Sequence, residues 1–595
     1  MEELAGIRFA SFSDAEPSDR VSRSLNLRKW ELADYNTTYG GGTMLMCRKG
    51  AEPPPVVIKP RLKGWHRVYV CLMATAMPSP SISLKLTDDI GASFFCRSYP
   101  NTEYMTWSFS EVAEEYYWKC ADMTGQEVTV SKLLDRAGGA IALLWLRFEP
   151  MTEADVNSYK VEASRRDVRI LHAHTDLDWL GYMDAVTEEL LAPFVESMAA
   201  SDAELLSVEF YPLLQDYSFL EKIQEEGAMS MMDSHQVIFS KLVKYQEPIY
   251  KYLTSQCHSR GMRVYAALRQ SVGVLPPPYD YSTIGHVAFA NEHPEFNCVD
   301  RDGEPFTALS CAFPEVQDYL VSAFLKMLPY GFDGITLFFH RGVMTAFEKP
   351  VLDLCGQLYP GVDARQLPLD DPRLLRVHSD IVTGYVRKLR KALDDFSKRN
   401  GIGRLGIAVI GHYSIEDSVL YGIDVARWAE EGLIDEAITS NMRVFEETKR
   451  FIGNDNLIDL DKYRAAKYES PISPVRRYHS GDLELMKASV PKWQELARRT
   501  GLKMFYELPW ECTFPPEYMR EYAMEMYKAG AERLSLWDAF HTRVMNRAEW
   551  NIVSRLGHRD ELKDMPDDRD GYGRTCRILS INGISIASYH PAWRG

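Results

Sequence analysis

The sequence lacks an excess of positive charge. Lys and Arg number 68 against 84 Asp and Glu, which gives a formal net charge of −16 at pH 7. Nucleic acids and anionic membranes both select clustered positive charge. Basic residues occur here only in short pieces such as Arg387 to Lys391, a pattern typical of a solvated helix face. We therefore expect neither a nucleic-acid partner nor a membrane partner.

Several other sequence signals are missing. The 10 cysteines are scattered and none forms a Cys-x-x-Cys pair, so no structural zinc site is indicated. The segment Met1 to Arg20 has no apolar core of a secretory signal. No stretch approaches the roughly 20 apolar residues of a membrane span, and no internal repeat or low-complexity tract is present. These absences predict a cytoplasmic protein with reduced thiols and no cofactor.

Apolar and aromatic residues are plentiful. Hydrophobic residues make up 46% of the 595 residues and aromatic residues 12%, enough for more than one domain with a sizeable core. The 12 Trp and 32 Tyr could also supply faces on which the apolar side of a sugar ring stacks. Composition alone favours the simpler explanation, a large aromatic-rich core.

Residues 1–165 have the pattern of an all-β domain. Turns are predicted at Gly40-Gly41-Gly42 and at Pro53-Pro54-Pro55. The spacing of the short strand-like runs predicts a β-sandwich or jelly-roll, the architecture of many carbohydrate-binding modules. A structural domain packed on its neighbour explains the pattern at least as well. The predicted strands are 65–73, 81–87, 116–120, 127–130 and 141–148.

From Val168 onward, strand and helix patterns alternate, which predicts a parallel sheet. Helices are expected between the strands, at 184–200, 236–259, 374–398, 482–499 and 515–529. Eight strands predict one (β/α)₈ TIM barrel over residues 166–545, so that the fold class is α/β with a preceding all-β domain. The predicted strands are 168–174, 204–211, 263–269, 334–340, 404–411, 436–440, 503–507 and 533–538.

Two long loops and a tail complete the predicted organisation. The loops at 342–372 and 441–481 follow strands, so we expect both on the catalytic face as candidate lids. The tail, residues 546–595, contains a predicted helix at 547–556 and a hairpin at 577–590 with Asn582-Gly583 at its turn. The hairpin either joins the N-terminal domain or caps the barrel.

The segment from His293 to Arg341 is the most informative part of the barrel. It has a polar turn at Asp300-Arg301-Asp302-Gly303, explained by turn chemistry alone. An amphipathic helix opens at Pro314, and an apolar strand then ends on His340 and Arg341. A buried strand that ends in charged groups and continues into a long loop is how a TIM barrel presents an active site.

This segment resembles the bacterial family ten glycosyl-hydrolase-like TIM barrels. The resemblance implies a barrel that hydrolyses a glycosidic bond in a saccharide or glycoside. That chemistry usually needs two carboxyl groups, one a protonated acid and the other a nucleophile or base. The resemblance continues through Gly422 to Val425 with Trp428, Glu431 to Asp435, Leu536-Trp537-Asp538 and Arg555 to Leu562.

Carboxylates at predicted strand ends are the candidate catalytic residues. Retaining barrel glycosidases often carry the nucleophile at the end of strand seven, so the resemblance favours Glu507; pairing with a cation such as Arg341 is its structural alternative. Such barrels usually have an Asn-Glu pair at the end of strand four, where this chain has His340 and Arg341 instead. The acid is therefore sought in Asp538 or Glu209, either of which could instead hold its strand by hydrogen bonds.

Other polar and aromatic residues near strand ends are candidates for substrate binding. Arg269 and Arg341 could hold a substrate hydroxyl or carboxylate, or could hold Glu507 ionised. His412 could act as an acid, a base or a hydroxyl ligand, or be a structural hydrogen bonder. The candidates are His174, Tyr211, Arg269, His340, Arg341, His412, Trp510 and Trp537.

A metal-dependent, amidohydrolase-like barrel is the first alternative. His172 and His174 share one face of strand one and could both reach a metal, with His412 and Asp538 near the other required strands. Strand six, Ile438-Thr439-Ser440, supplies no histidine, and strand four supplies no lysine. The second alternative is a non-catalytic carbohydrate-binding protein that has kept the fold. The sequence leaves open the sugar, the linkage, the stereochemical outcome and the oligomeric state, a homo-oligomer included.

Overall fold

The structure is a computed structural model. It describes residues 5–48, 51–74, 82–95, 112–132, 141–175, 188–210, 214, 234–270, 287–339, 343–440, 480–508, 516–536, 555–564 and 573–585. Within these ranges, the strands form a β-rich unit, a closed parallel barrel and one short hairpin.

The β-rich unit begins with strands that precede the barrel. They are β1 (Ile7–Phe9), β2 (Val21–Ser22), β3 (Trp30–Thr37), β4 (Gly40–Cys47), β5 (Val56–Ile58), β6 (Trp65–Ala74), β7 (Ile82–Leu86), β8 (Ser93–Phe95), β9 (Val112–Asp122), β10 (Val128–Lys132) and β11 (Ile141–Pro150). One sheet contains the order β2-β3-β4-β11-β6-β9 and the other β5-β10-β7-β8. The first six residues of β11, Ile141 to Leu146, are all apolar because both faces of the strand are buried. Leu143 packs into the core that also holds Val56 and Val130 of the second sheet, whereas Leu144 packs into another cluster on the opposite side.

The predicted turn at Gly40-Gly41-Gly42 is wrong. The turn lies at Thr38 and Tyr39, and the three glycines begin β4. A Cβ atom on Gly42 would lie 2.0 Å from the carbonyl oxygen of Ala10. Glycine is needed here because a neighbouring segment approaches the backbone closely.

The barrel strands alternate with helices in chain order. The strands, including a hairpin inserted after β14, are β12 (Leu171–Thr175), β13 (Ala203–Glu209), β14 (Arg263–Arg269), β15 (Asn297–Val299), β16 (Pro305–Leu309), β17 (Gly334–Phe338), β18 (Gly406–His412), β19 (Glu436–Ser440), β20 (Lys503–Glu507) and β21 (Leu534–Leu536). The helices are α1 (Glu153–Ser164), α2 (Glu188–Ala200), α3 (Ser234–Ser259), α4 (Ala288–Glu292), α5 (Pro314–Met327), α6 (Lys349–Leu358), α7 (Pro372–Asn400), α8 (Ile415–Val419), α9 (Val425–Glu430), α10 (Ser480–Thr500) and α11 (Pro516–Lys528).

Eight of these strands close into a parallel barrel in the order β12-β13-β14-β17-β18-β19-β20-β21, with β21 paired back to β12. The prediction of a (β/α)₈ barrel is confirmed at this level, and every predicted strand overlaps an observed one. Alternate residues divide the strands. Leu205, Ala267 and Ile438 belong to a small cluster inside the barrel, whereas Leu206 and Ala266 pack outward in the large core with the helices.

The segment that follows β17 is not the irregular loop that the sequence predicted. It contains α6 and a 3₁₀ turn at Ala364–Gln366, and it encloses an apolar cluster that includes Phe347 and Leu367. The buried Glu348 carboxylate accepts hydrogen bonds from the backbone N–H of Ala346, at 3.0 Å. The segment therefore has a small apolar core of its own, and its role as a lid stays a prediction. The second predicted lid, 441–481, lies outside the described residues up to 479.

The tail returns to the β-rich unit. Strands β22 (Gly573–Ile581) and β23 (Ile584–Ser585) form the predicted hairpin, with positive φ angles of 50° at Asn582 and 77° at Gly583. β22 pairs with β9 along its first half and with β3 along its second half. Of the predicted helix at 547–556, residues 547–554 lie outside the described ranges and 555–556 form a turn. Among the helices described, none is long and apolar enough to cross a membrane.

Candidate functional site

The carboxyl-terminal mouth of the barrel gathers a set of polar side chains. Because inward positions alternate along each strand, the last inward position can be read from the register. In a TIM barrel this end carries the active site. The inward residues nearest the mouth are His174, Glu209, Arg269, Phe338, His412, Ser440 and Glu507.

Glu209 is held by a guanidinium group. Its side chain is 2% exposed, and Arg269 Nε lies 3.0 Å from Oε1 and 3.2 Å from Oε2. His174 Nε2 lies 3.7 Å from Glu209 Oε2, and the His174 ring packs edge-on against Phe338 with ring centroids 4.7 Å apart. The opposite charge of Arg269 compensates the buried carboxylate. The structure therefore pairs Arg269 with Glu209, where the sequence had offered Glu507 as the partner.

Glu507 lies at the end of β20, with 1% of its side chain exposed. It is the register partner of Ser535 on β21, and the backbone N–H of Leu508 donates to the Ser535 carbonyl oxygen at 2.8 Å. The neighbouring Tyr506 belongs to the outer core. Glu209 and Glu507 thus enter the barrel from strands that are separated by β12 and β21.

His412 lies on β18, on another side of the mouth. Its ring packs against Tyr421 at 4.7 Å between centroids, and its backbone N–H donates to Ser418 Oγ at 3.2 Å. The side chain is 4% exposed. These contacts support a structural role for His412 as well as a place at the mouth.

His172 is engaged in a way that does not suit a metal ligand. Ring atom Nδ1 is 2.8 Å from Ser535 Oγ, and Nε2 is 2.8 Å from Ser207 Oγ. Burial lowers the pKa of His172 to about 3, so the ring is neutral. A histidine ligand needs a free ring nitrogen, and here both nitrogens already bind hydroxyl groups. The pattern of His172 and His174 therefore does not favour the metal-dependent alternative.

The sequence did not single out the hydroxyl groups around His172. Ser207, Thr336 and Ser535 are buried at inward positions of their strands. The signal was present as a polar residue at an inward position of each strand. It becomes visible only once the inward face is known.

Several predicted site residues lie outside the described parts of the chain. They keep the roles proposed from the sequence as predictions, without a structural account. They are Tyr211, His340, Arg341, Trp510, Trp537 and Asp538.

The cavity at the opposite end of the barrel is a poor candidate for the active site. It has a volume of about 1010 Å³ and is lined by Arg263, Glu436 and Lys503 among others. Arg263 pairs with Glu436 at 2.6 Å and with Glu204 at 2.8 Å, and Lys503 pairs with Glu204 at 3.1 Å. Charges at the amino-terminal end of a TIM barrel serve stability, whereas chemistry occurs at the other end.

Comparison with known proteins assigns no family to the chain. No family model matches it, and no curated protein matches it. Similar solved structures include the glycoside hydrolase domain of PgaB (BpsB) from Bordetella bronchiseptica, with 13% identity, 64% of this chain and 98% of that chain covered, and a TM-score of 0.38. The catalytic domain of β-amylase from Paenibacillus polymyxa has 11% identity, coverage of 67% and 99%, and a TM-score of 0.37.

The glycoside hydrolase domain of PelA from Pseudomonas aeruginosa is a further similar structure, with 10% identity, coverage of 61% and 94%, and a TM-score of 0.27. These structures are glycoside hydrolase domains, and none of them bears on family ten in particular. At such identities and TM-scores the likeness carries no argument about this chain. The barrel is established by its own strand pairing.

Proposed function

We propose that the protein is a glycoside hydrolase with its active site at the carboxyl-terminal mouth of the barrel. The observation that carries the proposal is the presence of two buried carboxyl groups, Glu209 and Glu507, at inward positions of strand ends. Two carboxyl groups that face one space are the usual requirement for cleaving a glycosidic bond. The substrate is a saccharide or glycoside.

Glu507 is the proposed nucleophile or base. Its support is the strand-seven position, where the family resemblance places that role. Arg269 donates to the Glu209 carboxylate and holds it at the mouth of the barrel. Glu209 is the proposed second carboxyl group of the pair, and Asp538 remains the other candidate for the general acid.

The metal-dependent alternative has less support because both ring nitrogens of His172 bind hydroxyl groups. We predict that turnover persists after prolonged dialysis against a chelator. Elemental analysis should be run on the same sample. Loss of activity on chelation, restored by a divalent metal, would reverse the choice between the two hydrolases.

The β-rich unit is proposed to be a sandwich of the kind found in carbohydrate-binding modules. Its support is the apolar core that its two sheets share. The proposed domain ranges remain 1–165, 166–545 and 546–595, with the last range contributing β22 to the first.

The test of the catalytic proposal is Glu507→Gln, which keeps the shape of the side chain and removes its charge. We expect turnover of an activated aryl glycoside to fall by about 100-fold or more, with sugar binding and unfolding nearly unchanged. The matched control is Glu204→Gln. Glu204 lies at the amino-terminal end of β13, away from the mouth of the barrel, so this variant should leave turnover near the wild-type value.

A Glu507→Gln variant that keeps more than about a tenth of the wild-type kcat rules Glu507 out as the nucleophile. A wild-type protein that binds sugars but cleaves none of a broad panel supports the non-catalytic alternative.

A further inference from the structure

A polar layer crosses the barrel interior directly beneath the mouth. Its members are His172, Ser207, Thr336 and Ser535, on strands β12, β13, β17 and β21, and none is more than 2% exposed. Besides the two bonds of His172, Ser207 Oγ lies 2.7 Å from Thr336 Oγ1. The interior layers of a TIM barrel are normally filled by branched apolar side chains. Four polar residues in one layer therefore need an explanation.

The four groups form one continuous hydrogen-bonded chain. A neutral imidazole has one donor nitrogen and one acceptor nitrogen. In one direction Thr336 donates to Ser207, Ser207 donates to His172 Nε2, and His172 Nδ1–H donates to Ser535; the reverse direction is equally complete. In either direction every member of the layer takes part in at least one hydrogen bond within it, and the layer links strands on both sides of β12.

Each of the two hydroxyl partners of His172 lies next to a carboxylate of the proposed site along the strands. Ser207 precedes Glu209 by two positions on the same inward face of β13. Ser535 is the register partner both of His172 and of Glu507. His172 therefore connects the strand that carries Glu209 with the strand beside Glu507.

We propose that His172 is a positioning residue, which fixes the separation of the Glu209 and Glu507 carboxyl groups through its bonds to Ser207 and Ser535. The proposal rests on the glycosidase function proposed above. Stability alone does not explain the layer, because an apolar layer of similar shape can be nearly as stable as a hydrogen-bonded one. Hydrogen bonds differ from apolar packing in that they fix distance and direction, and catalytic groups must be held to within about 0.5 Å.

The test replaces the polar layer by an apolar one. The triple variant His172→Phe, Ser207→Ala, Ser535→Ala removes His172 and both of its hydroxyl partners and keeps an aromatic ring at position 172. Of the four groups in the layer, only Thr336, the partner of Ser207, keeps a hydroxyl. We expect an unfolding midpoint near that of the wild type, a kcat at least 10-fold lower on an activated aryl glycoside, and a KM within about threefold. His172→Gln, which keeps one donor and one acceptor, should recover part of the lost kcat.

Crystal structures of the wild type and the triple variant provide a readout that needs no substrate. We expect the distance between the two carboxyl groups to change by more than about 0.5 Å, or to differ between copies of the variant. A variant with wild-type kcat and an unchanged distance overturns the positioning role. If the triple variant fails to fold, the single variants His172→Gln and Ser535→Ala are measured in the same two ways, and unchanged values for both overturn the role equally.

The two proposals fail in different ways. A wild-type protein that cleaves no glycoside contradicts the proposed function, and the distance between Glu209 and Glu507 in the two crystal structures still decides the role of His172. An active wild type with an equally active triple variant contradicts only the positioning role.

Discussion

Buried charges in the barrel are compensated residue by residue at both ends. At the mouth Arg269 pairs with Glu209, and at the opposite end Arg263 pairs with Glu436 at 2.6 Å, with Tyr265 also bonded to that carboxylate. Burial raises the pKa of Glu436, and Arg263 opposes that rise. An ion pair of this kind gives little net stability, but losing one partner leaves an uncompensated charge. The partner residues are therefore more sensitive to substitution than surface ion pairs.

This argument predicts the effect of Arg269→Gln. The variant should lose about 2 kcal/mol of unfolding free energy, because Glu209 would remain buried with a weaker neutral donor. The double variant with Glu209→Gln should lose less than the sum of the two single variants. Urea unfolding at pH 7 measures all three. Arg404→Gln, which breaks a half-exposed pair with Asp435, is the control and should lose about 1 kcal/mol or less. Strict additivity would contradict the pairing.

At the scale of elements, two small residues make room for one large ring. Gly334 on β17 and Gly406 on β18 are register partners. The ring of Tyr265 on β14 occupies the space that side chains at these two positions would need. A Cβ atom on Gly406 would lie 1.7 Å from Tyr265 Oη, and one on Gly334 would lie 2.8 Å from Tyr265 Cε1. The amino-terminal end of the barrel is thus filled by an aromatic ring that three strands share.

Gly406→Ala should therefore lose about 2 kcal/mol or more of unfolding free energy through overpacking. Adding Tyr265→Leu should recover part of the loss, since the smaller side chain removes the clash. Gly403→Ala is the matched control, because a Cβ atom there would meet nothing within 4 Å. Thermal or urea unfolding separates these variants. Equal losses for Gly406→Ala and Gly403→Ala would show that Tyr265 does not occupy the space described.

The elements themselves were largely predictable, and the exceptions have physical causes. The barrel strands are buried on both faces, so they appear as continuous apolar runs between helical patterns, as in Arg263–Arg269. The turn predicted at Gly40 to Gly42 was wrong because glycine occurs both in turns and where another segment approaches the backbone closely. A close approach depends on a distant segment, which the local sequence does not reveal. The segment after β17 was predicted as a loop because its helix is short and its apolar cluster is small, so neither gives a long periodic pattern in the sequence.

The strand-end positions of the candidate residues could be predicted from the sequence, but the pairing of their charges could not. Glu209 and Glu507 could be chosen as candidates because both lie at the ends of predicted strands. A parallel barrel brings all carboxyl-terminal strand ends together. Which cation binds which carboxylate depends on the neighbouring strand and on side-chain reach, and so Arg269 with Glu209 emerged only from the structure. The layer around His172 was missed because its four residues come from distant parts of the sequence.

At the scale of the whole molecule, the C-terminal part of the chain binds both the β-rich unit and the barrel. β22 pairs within the first sheet, and the preceding segment binds helix α1 and the barrel through His558. His558 Nδ1 lies 2.8 Å from Asp202 Oδ2, and Nε2 bonds to Glu162 of α1. A Cβ atom on Gly557 would lie 2.0 Å from the Val168 carbonyl oxygen, so glycine is required there. The segment Arg555 to Leu562, part of the family resemblance, thus has a structural role.

The last prediction concerns the pH dependence of this junction. Burial by itself lowers the pKa of His558, but its bonds to Asp202 and Glu162 outweigh burial and raise the pKa above the ordinary 6.5. A histidine with a raised pKa stabilises the folded protein fully below its unfolded pKa, and that stability is lost as pH rises through the folded value. Arg165, which also faces the junction and pairs with Glu561, has a raised pKa and stays charged across this range.

The unfolding free energy of the wild type should therefore exceed that of His558→Gln by about 1 kcal/mol near pH 6, and the excess should shrink toward pH 9. Parallel urea-unfolding profiles for the two proteins across that range would show that the charge on His558 does not hold the junction together.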